Sequence, residues 1–239
     1  YISHSPSDVG NSIGAALYVA HNLKNEDRNI TFNSSYLGPS FSDEEIQKTL
    51  ERRKIVYEKI EDIPKTVADI LSRGEIIARF NGRMEFGERA LGNRSILADP
   101  RAENIKDKIN SIIKYREGYR PFAPVIIQEK VCNYFDVSET FTCHYMEKVV
   151  QIKKEFQKEL PAVTHVDGSG RVQTVSEKHN LSFYQIIKEF ESLTGFPIVL
   201  NTSFNIAGEP VVLSPDDALT TFYNSGLEYV IVGSFLVKK

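Results

Sequence analysis

The chain has 239 residues, 41% hydrophobic and 10% aromatic, enough for a packed core in one large domain or in one domain plus a fragment. A formal charge of −3 excludes a global pull toward nucleic acid or an anionic membrane. Two cysteines, Cys132 and Cys143, exclude a disulfide scaffold and lack zinc-site spacing, and no apolar run approaches the roughly 20 residues that span a bilayer. No secretory signal is visible, so the cytoplasm is the default location. The opening Tyr1-Ile2-Ser3-His4-Ser5-Pro6 lacks an initiator methionine and reads as the middle of a longer protein.

In chain order, Ser7-Asp8-Val9-Gly10 reads as a turn entering a helix from Asn11 to Lys24, where Ile13, Leu17 and His21 fall at i, i+4 and i+8. Asn25 to Ser40 is a polar, breaker-rich connection. Ser42 with Glu45 three residues on is a capping box that starts a second helix. Lys54 to Ile60 predicts a strand, Pro64 to Ser72 a helix stopped by Gly74, and Glu75 to Phe80 a strand. Ser95 to Ala98 is a strand, Ala102 to Lys114 a helix, and Val125 to Ile127 a strand that Pro124 limits to a strand start or a sheet edge. Met146 to Lys153 and Arg171 to Val175 predict strands. Leu181 to Leu193 is a helix with Phe183, Ile186, Ile187 and Phe190 on one face. Pro197 to Leu200 is a buried strand, Asp216 to Asn224 a helix, and Tyr229 to Val232 and Phe235 to Val237 are closing strands. This density of mixed elements predicts an α/β or α+β fold with a twisted mixed sheet and flanking helices.

The most informative stretch runs from Gly82 to Ser95 and holds three arginines and three glycines in fourteen residues. Between Arg79 and Arg120 ten Lys and Arg stand against six Asp and Glu, so positive charge concentrates where the glycines are. The stretch fits neither a dinucleotide fingerprint nor a P-loop. What remains is anion capture by guanidinium forks and exposed backbone N–H groups, with Arg89 and Arg94 converging if the loop folds back. Alternatively, one of these arginines forms a structural ion pair with Glu85 or Glu88. A second basic cluster, Lys114 to Phe122, follows a helix C-terminus; the helix dipole accounts for Arg116, while Lys114 and Arg120 are expected at a ligand. His165-Val166-Asp167-Gly168 reads as a ligand loop, with Arg171 reaching an anion. Asn201 and Ser203 at a strand end are placed to bind phosphate, ribose or a carbonyl, or else to cap a turn.

These blocks, Gly82 to Ser95, Lys108-Ile109-Asn110 with Lys114 to Glu117, Arg120 to Pro124, His165 to Gly168 and Leu200 to Asn205, resemble the signature of the nodulation-protein-U family of O-carbamoyltransferases, in order from about Tyr36 onward. Glu88 departs from the family's usual Pro. The resemblance implies two fused modules: an actin-like ATPase superfamily module whose metal, iron or a similar divalent ion, is held by two histidines and an aspartate, and a YrdC-like module that makes carbamoyl-adenylate from carbamoyl phosphate and ATP with Mg²⁺. It divides the chain into the tail of the metal-binding transferase module (1–35), a linker and adjoining segment (36–66) and a YrdC-like domain (67–239). Asp8 is similar to the metal aspartate, but His4 and His21 do not supply the histidine pair. Carried over by motif, Arg89, Lys114 and Arg120 are the implied catalytic cations, and Arg94, Arg171, Asn201 and Ser203 the implied substrate and nucleotide ligands. The implied partners are carbamoyl phosphate and a hydroxyl acceptor, a sugar or secondary metabolite, with neither nucleic acid nor membrane. Two alternatives stay open: a threonylcarbamoyl-adenylate synthase-like protein of tRNA modification, and a non-enzymatic nucleotide-binding module.

Overall fold

A computed structural model of the chain describes residue 5 and residues 8–28 and 34–239. Most of the opening stretch, including His4, Ser7 of the expected turn and the middle of the Asn25 to Ser40 connection lie outside the described residues.

Helix α1, Gly10–Tyr18, continues into a π-helical turn, Val19–Leu23, and none of its residues is buried. Helix α2, Asp43–Arg52, begins at Ser42 with both bonds of the capping box: Glu45 N–H donates to Ser42 Oγ at 3.3 Å and Ser42 N–H to the Glu45 carboxylate at 2.7 Å. Strand β1 is only Glu58–Lys59. Of the rest of the expected Lys54 to Ile60 strand, Ile60 N–H still reaches the Ser234 carbonyl (2.8 Å) but Ile55 N–H turns back to Leu50 O (3.0 Å), and Val56 is 88% exposed. Helix α3, Ile63–Ser72, starts on Asp62, whose side chain accepts Lys65 N–H at 3.1 Å. Then come β2 (Ile77–Phe80), β3 (Arg94–Ala98), α4 (Ile105–Ile112), β4 (Ala123–Ile127), α5 (Val131–Tyr134), β5 (Lys148–Gln151), α6 (Lys154–Gln157), β6 (Ser169–Val175), α7 (Leu181–Thr194), β7 (Ile198–Ser203), α8 (Pro215–Tyr223), β8 (Tyr229–Val232) and β9 (Phe235–Lys238).

The strands form one mixed, mostly antiparallel sheet in the order β1-β9-β8-β2-β3-β7-β4-β6-β5. Only β2 with β8 and β4 with β6 run parallel. Pro124 sits one residue into β4, beside Leu200 of β7 and just before pairing with β6 begins at Val125, so its missing N–H costs no ladder bond to β6.

The two-residue period of the strands sends side chains to both faces. On one face Ala78, Phe80, Ile96 and Leu200 pack under α2, α4 and α8; on the other Ile77, Leu97 and Val199 pack under α3 and α7. All four apolar residues expected on one face of α7 are fully buried, each removal from water contributing about 1.5–3 kcal/mol. Residues 36–66, expected as linker and adjoining segment, also enter this architecture: Ile46 and Leu50 of α2 are core, and β1 edges the sheet. Both cysteines are free thiols, Cys143 buried, and no helix among the described residues is long and apolar enough to cross a membrane.

Candidate functional site

The loop joining β2 to β3 folds around a single carboxylate. Glu85 turns inward until 5% exposed, and its Oε1 accepts the backbone N–H groups of Leu91 (2.7 Å), Asn93 (2.7 Å) and Arg94 (3.3 Å). Two buried guanidinium groups complete the frame. Arg79 donates to the Gly92 carbonyl and to Ser182 Oγ (2.7 Å), tying the loop to α7. Arg94 lies over the Phe80 ring at 3.6 Å and donates to the carbonyls of Asn81 (2.7 Å), Gly82 (3.2 Å) and Pro39 (3.3 Å). Burial pulls the pKa of each down to about 10, against the opposing pull of Glu85. Gly92 is required here: its φ is +118°, and a Cβ would come within 2.3 Å of the Phe183 ring.

Of the two exposed loop arginines, Arg83 donates to the Leu37 carbonyl (2.8 Å), while Arg89 is half-exposed with Glu88 3.9 Å away. Arg89 lines a cleft of about 100 Å³. Ala90 belongs to the same wall; Arg116, Pro121 and Phe122 come from the segment between α4 and β4, Arg171 from β6, and Asn201, Thr202 and Ser203 from the end of β7. The space equals about three water molecules at roughly 30 Å³ each, the scale of a small anion. A second cavity of about 70 Å³ lies on the other side of Arg89, against Phe86, Gly87 and Tyr145.

The cleft is strongly cationic. Arg89, Arg116 and Arg171 share it with a single lining carboxylate, Glu88, which lies 3.9 Å from Arg89 and opposes the downward shift of Arg171. Burial, and next the charge of Arg89, pulls the Arg171 pKa down to about 10, and its buried Nε has no hydrogen-bond partner. Arg116 is shifted down by burial and by Arg120, and is steadied by a bond from its Nε to Asn110 Oδ1 (2.8 Å) and by the Phe122 ring at 5.0 Å. Behind the wall, Lys114 is 4% exposed and donates to the Ser203 carbonyl, Ser203 Oγ (3.2 Å), Asn205 O (3.1 Å) and Asn205 Oδ1 (2.7 Å). Burial, then the charge of Arg116, pulls its pKa down to about 7.

The structure brings Arg89, Arg171, Asn201 and Ser203 together in the cleft, with Lys114 fixing the strand end from behind. It differs from the sequence reading at four points. Arg94 is enclosed by backbone carbonyls and fully buried, so its guanidinium holds the loop and is not offered to a ligand. Arg116, assigned from sequence to the helix end, lines the cleft, because the chain turns back after α4 with Tyr115 at φ +47°. Arg120 is not among the residues lining the cleft; its side chain is held in an exposed, solvent-screened ion pair with Glu117 (2.9 Å). The His165 to Gly168 turn closes on itself: Asp167 Oδ1 accepts both the N–H (3.0 Å) and the hydroxyl (2.7 Å) of Ser169, and His165 Nδ1 pairs with Ser169 Oγ (3.0 Å).

Asp8 is expected to hold a metal only together with a histidine pair, which His4 and His21 do not supply. Asp8 is exposed in the turn before α1, His21 Nδ1 pairs with the Glu26 carbonyl (2.9 Å), and no group of three His, Cys, Asp or Glu that could hold a metal occurs among the described residues. Sequence reasoning missed Arg79 and Gln173. Arg79 had a visible signal, a lone cation inside the apolar strand Ile77-Ala78-Arg79-Phe80; Gln173 had none.

A family model described as the carbamoyltransferase C-terminus matches residues 68–239. The chain belongs to that family. It is 40% identical over its whole length to nodulation protein NolO of Bradyrhizobium diazoefficiens, covering 44% of that protein. Over 68% of its length it is 37% identical to the 3'-hydroxymethylcephem-O-carbamoyltransferase of Amycolatopsis lactamdurans, covering 30% of it. The chain thus spans less than half the length of the curated relatives it matches. Among solved structures it resembles full-length HypF in its phosphate- and nucleotide-bound form, with a TM-score of 0.53 and 18% identity over 73% of this chain and 25% of that one. That likeness concerns the fold, and agrees with the expected mixed sheet flanked by helices.

Proposed function

We propose that this carbamoyltransferase C-terminal chain activates the carbamoyl donor of an O-carbamoyltransferase, making carbamoyl-adenylate from carbamoyl phosphate and ATP. The observation that carries the reading is the convergence of three guanidinium groups, against one lining carboxylate, on Asn201 and Ser203 in one small cleft. Cations crowded at mutual cost are neutralised by a ligand of high negative charge, and guanidinium forks suit phosphate oxygens. Arg89 and Arg171 would grip the donor phosphate with Arg116. Arg120 would swing from its weak surface pair to the nucleotide, and Lys114 would hold Ser203 and Asn205 in place.

In the proposed reaction, water displaces phosphate from carbamoyl phosphate and leaves carbamate. A carbamate oxygen then attacks the α-phosphorus of ATP in line, the bond from that phosphorus to the α,β-bridging oxygen breaks, and pyrophosphate departs. Mg²⁺ carried with the nucleotide supplies further charge neutralisation. The arginines act by position and charge, and one lost donor in such a site costs about 3–4 kcal/mol of transition-state stabilisation. Transfer to a hydroxyl acceptor, a sugar or other secondary metabolite, is the second half of the proposed activity. The similarity to the 3'-hydroxymethylcephem-O-carbamoyltransferase supports a hydroxyl acceptor.

The test is direct. Purified chain given ATP, Mg²⁺ and carbamoyl phosphate should release pyrophosphate only when all three are present. A folded sample that releases none and binds no nucleotide contradicts the proposal, and release that depends on threonine points to the synthase-like alternative.

A further inference from the structure

The arginines of the cleft carry no acceptor, and the Ser203 hydroxyl donates to Asn205 Oδ1 (2.7 Å) while Lys114 Nζ approaches its oxygen. Besides the Glu88 carboxylate and the Thr202 hydroxyl in the lining, Asn201 offers a buried, neutral acceptor. It is 1% exposed, its Nδ2 donates to the Ala90 carbonyl (2.9 Å) and to Gln173 Oε1 (3.2 Å), and its Oδ1 has no partner.

This amide cannot turn over. Ala90 O is a backbone carbonyl and only accepts, so it requires the NH₂ end of Asn201. Gln173, 2% exposed, is fixed in the same way: its Nε2 donates to the Leu91 carbonyl (3.0 Å), which leaves only Oε1 to meet Asn201. A flipped Asn201 would set its oxygen against two other oxygens and strand a buried NH₂ without a partner. Two backbone carbonyls of the Gly/Arg loop thus dictate, through Gln173, which atom of Asn201 stays unpaired.

We propose that Gln173 is a positioning residue that locks Asn201 with its carbonyl oxygen free for the ligand, and that this oxygen accepts an N–H of the carbamoyl amide. The inference rests on the reading of the cleft as a carbamoyl phosphate site and adds the basis of its selectivity. The anionic end of the donor is held by arginines, which any acyl phosphate satisfies. The amide end is read by an acceptor of fixed orientation. Acetyl phosphate presents a methyl group there and leaves the buried oxygen unpaired, which lowers affinity on the order of 10- to 100-fold.

Calorimetric titration of the full chain with carbamoyl phosphate, acetyl phosphate and inorganic phosphate tests this. Wild type should bind carbamoyl phosphate about 10- to 100-fold more tightly than acetyl phosphate. Asn201→Ala should bring that ratio close to one. Gln173→Met should shrink it several-fold while affinity for inorganic phosphate holds, a pattern that a merely structural role for Gln173 would not produce. Leu91 O keeps the Tyr36 hydroxyl (3.0 Å) and Asn201 keeps Ala90 O, so the Gln173 variant retains a partner at each end. Equal wild-type affinity for the two acyl phosphates, or a ratio unchanged in Asn201→Ala, overturns the inference and leaves the phosphate cleft standing. Failure of the folded wild-type chain to bind any of the three ligands overturns the cleft reading and this inference with it.

Discussion

Removing the carboxylate of Glu85 should unfasten the loop that carries Arg89. In Glu85→Ala, the N–H groups of Leu91, Asn93 and Arg94 lose their shared acceptor, two of them bonded at 2.7 Å. Bonds to a charged group contribute about 1.5–3 kcal/mol each. Arg79 and Arg94, both buried, lose the anion that opposes their desolvation, and stripping one partner from a buried charge cluster costs about 3–5 kcal/mol. These effects share atoms and do not add in full, so the expected loss is about 4 kcal/mol. That is a large part of the roughly 5–15 kcal/mol that holds a domain. Glu85→Gln keeps an oxygen for the amides and removes only the charge, so about half of that loss should return. Urea unfolding followed by far-UV circular dichroism measures both variants. A Glu85→Ala chain within about 1 kcal/mol of wild type would show that the carboxylate does not organise the loop.

Gly92→Ala should destabilise by about 3 kcal/mol or more, because its φ of +118° and the Phe183 ring at 2.3 Å leave no room for a methyl group; thermal unfolding reads it, and a neutral substitution would contradict the packing. Arg94→Lys should cost about 2–4 kcal/mol, since a single ammonium cannot span the carbonyls of Asn81, Gly82 and Pro39 while lying flat on Phe80; a loss under about 0.5 kcal/mol in urea would return Arg94 to the pool of ligand candidates. Lys114 links stability to pH. Its folded pKa is lowered from 10.5 to about 7, so between those values the unfolded chain binds more protons and wild-type stability should rise with pH relative to Lys114→Met. The gain is up to about tenfold in the folding equilibrium per pH unit. Unfolding of both chains at pH 7 and pH 9 measures it, and a difference that stays flat would place the ammonium pKa outside this window.

The sequence was most legible where one local interaction decides the outcome. Ser42 with Glu45 announced α2, and the Phe183, Ile186, Ile187 and Phe190 stripe announced α7, because capping and amphipathic periodicity act within a turn or two. The strand expected over Lys54 to Ile60 shrank to two residues because pairing partners are a tertiary fact: only β9 borders it, at the end of the sheet. In the site, Arg89, Arg171, Asn201 and Ser203 were readable from residue type and motif. The exchange of roles between Arg94 and Arg116 was not. Arg94 alternates with apolar neighbours in β3 and is drawn beneath the loop by Pro39, 55 residues away, while Arg116 reaches the cleft through a backbone reversal at Tyr115. Gln173 was invisible for the same reason, since its importance lies in two carbonyls contributed by a loop 82 residues earlier in the chain.

The claim on which the rest depends is that one cationic cleft binds the carbamoyl donor. Titration of carbamoyl phosphate into the purified wild-type chain and into Arg171→Ala tests it most directly. The account predicts one site per wild-type chain, weakened by added salt, with affinity at least tenfold lower in the variant. A folded wild-type chain that gives no binding heat, or a variant that binds as tightly as wild type, would contradict it.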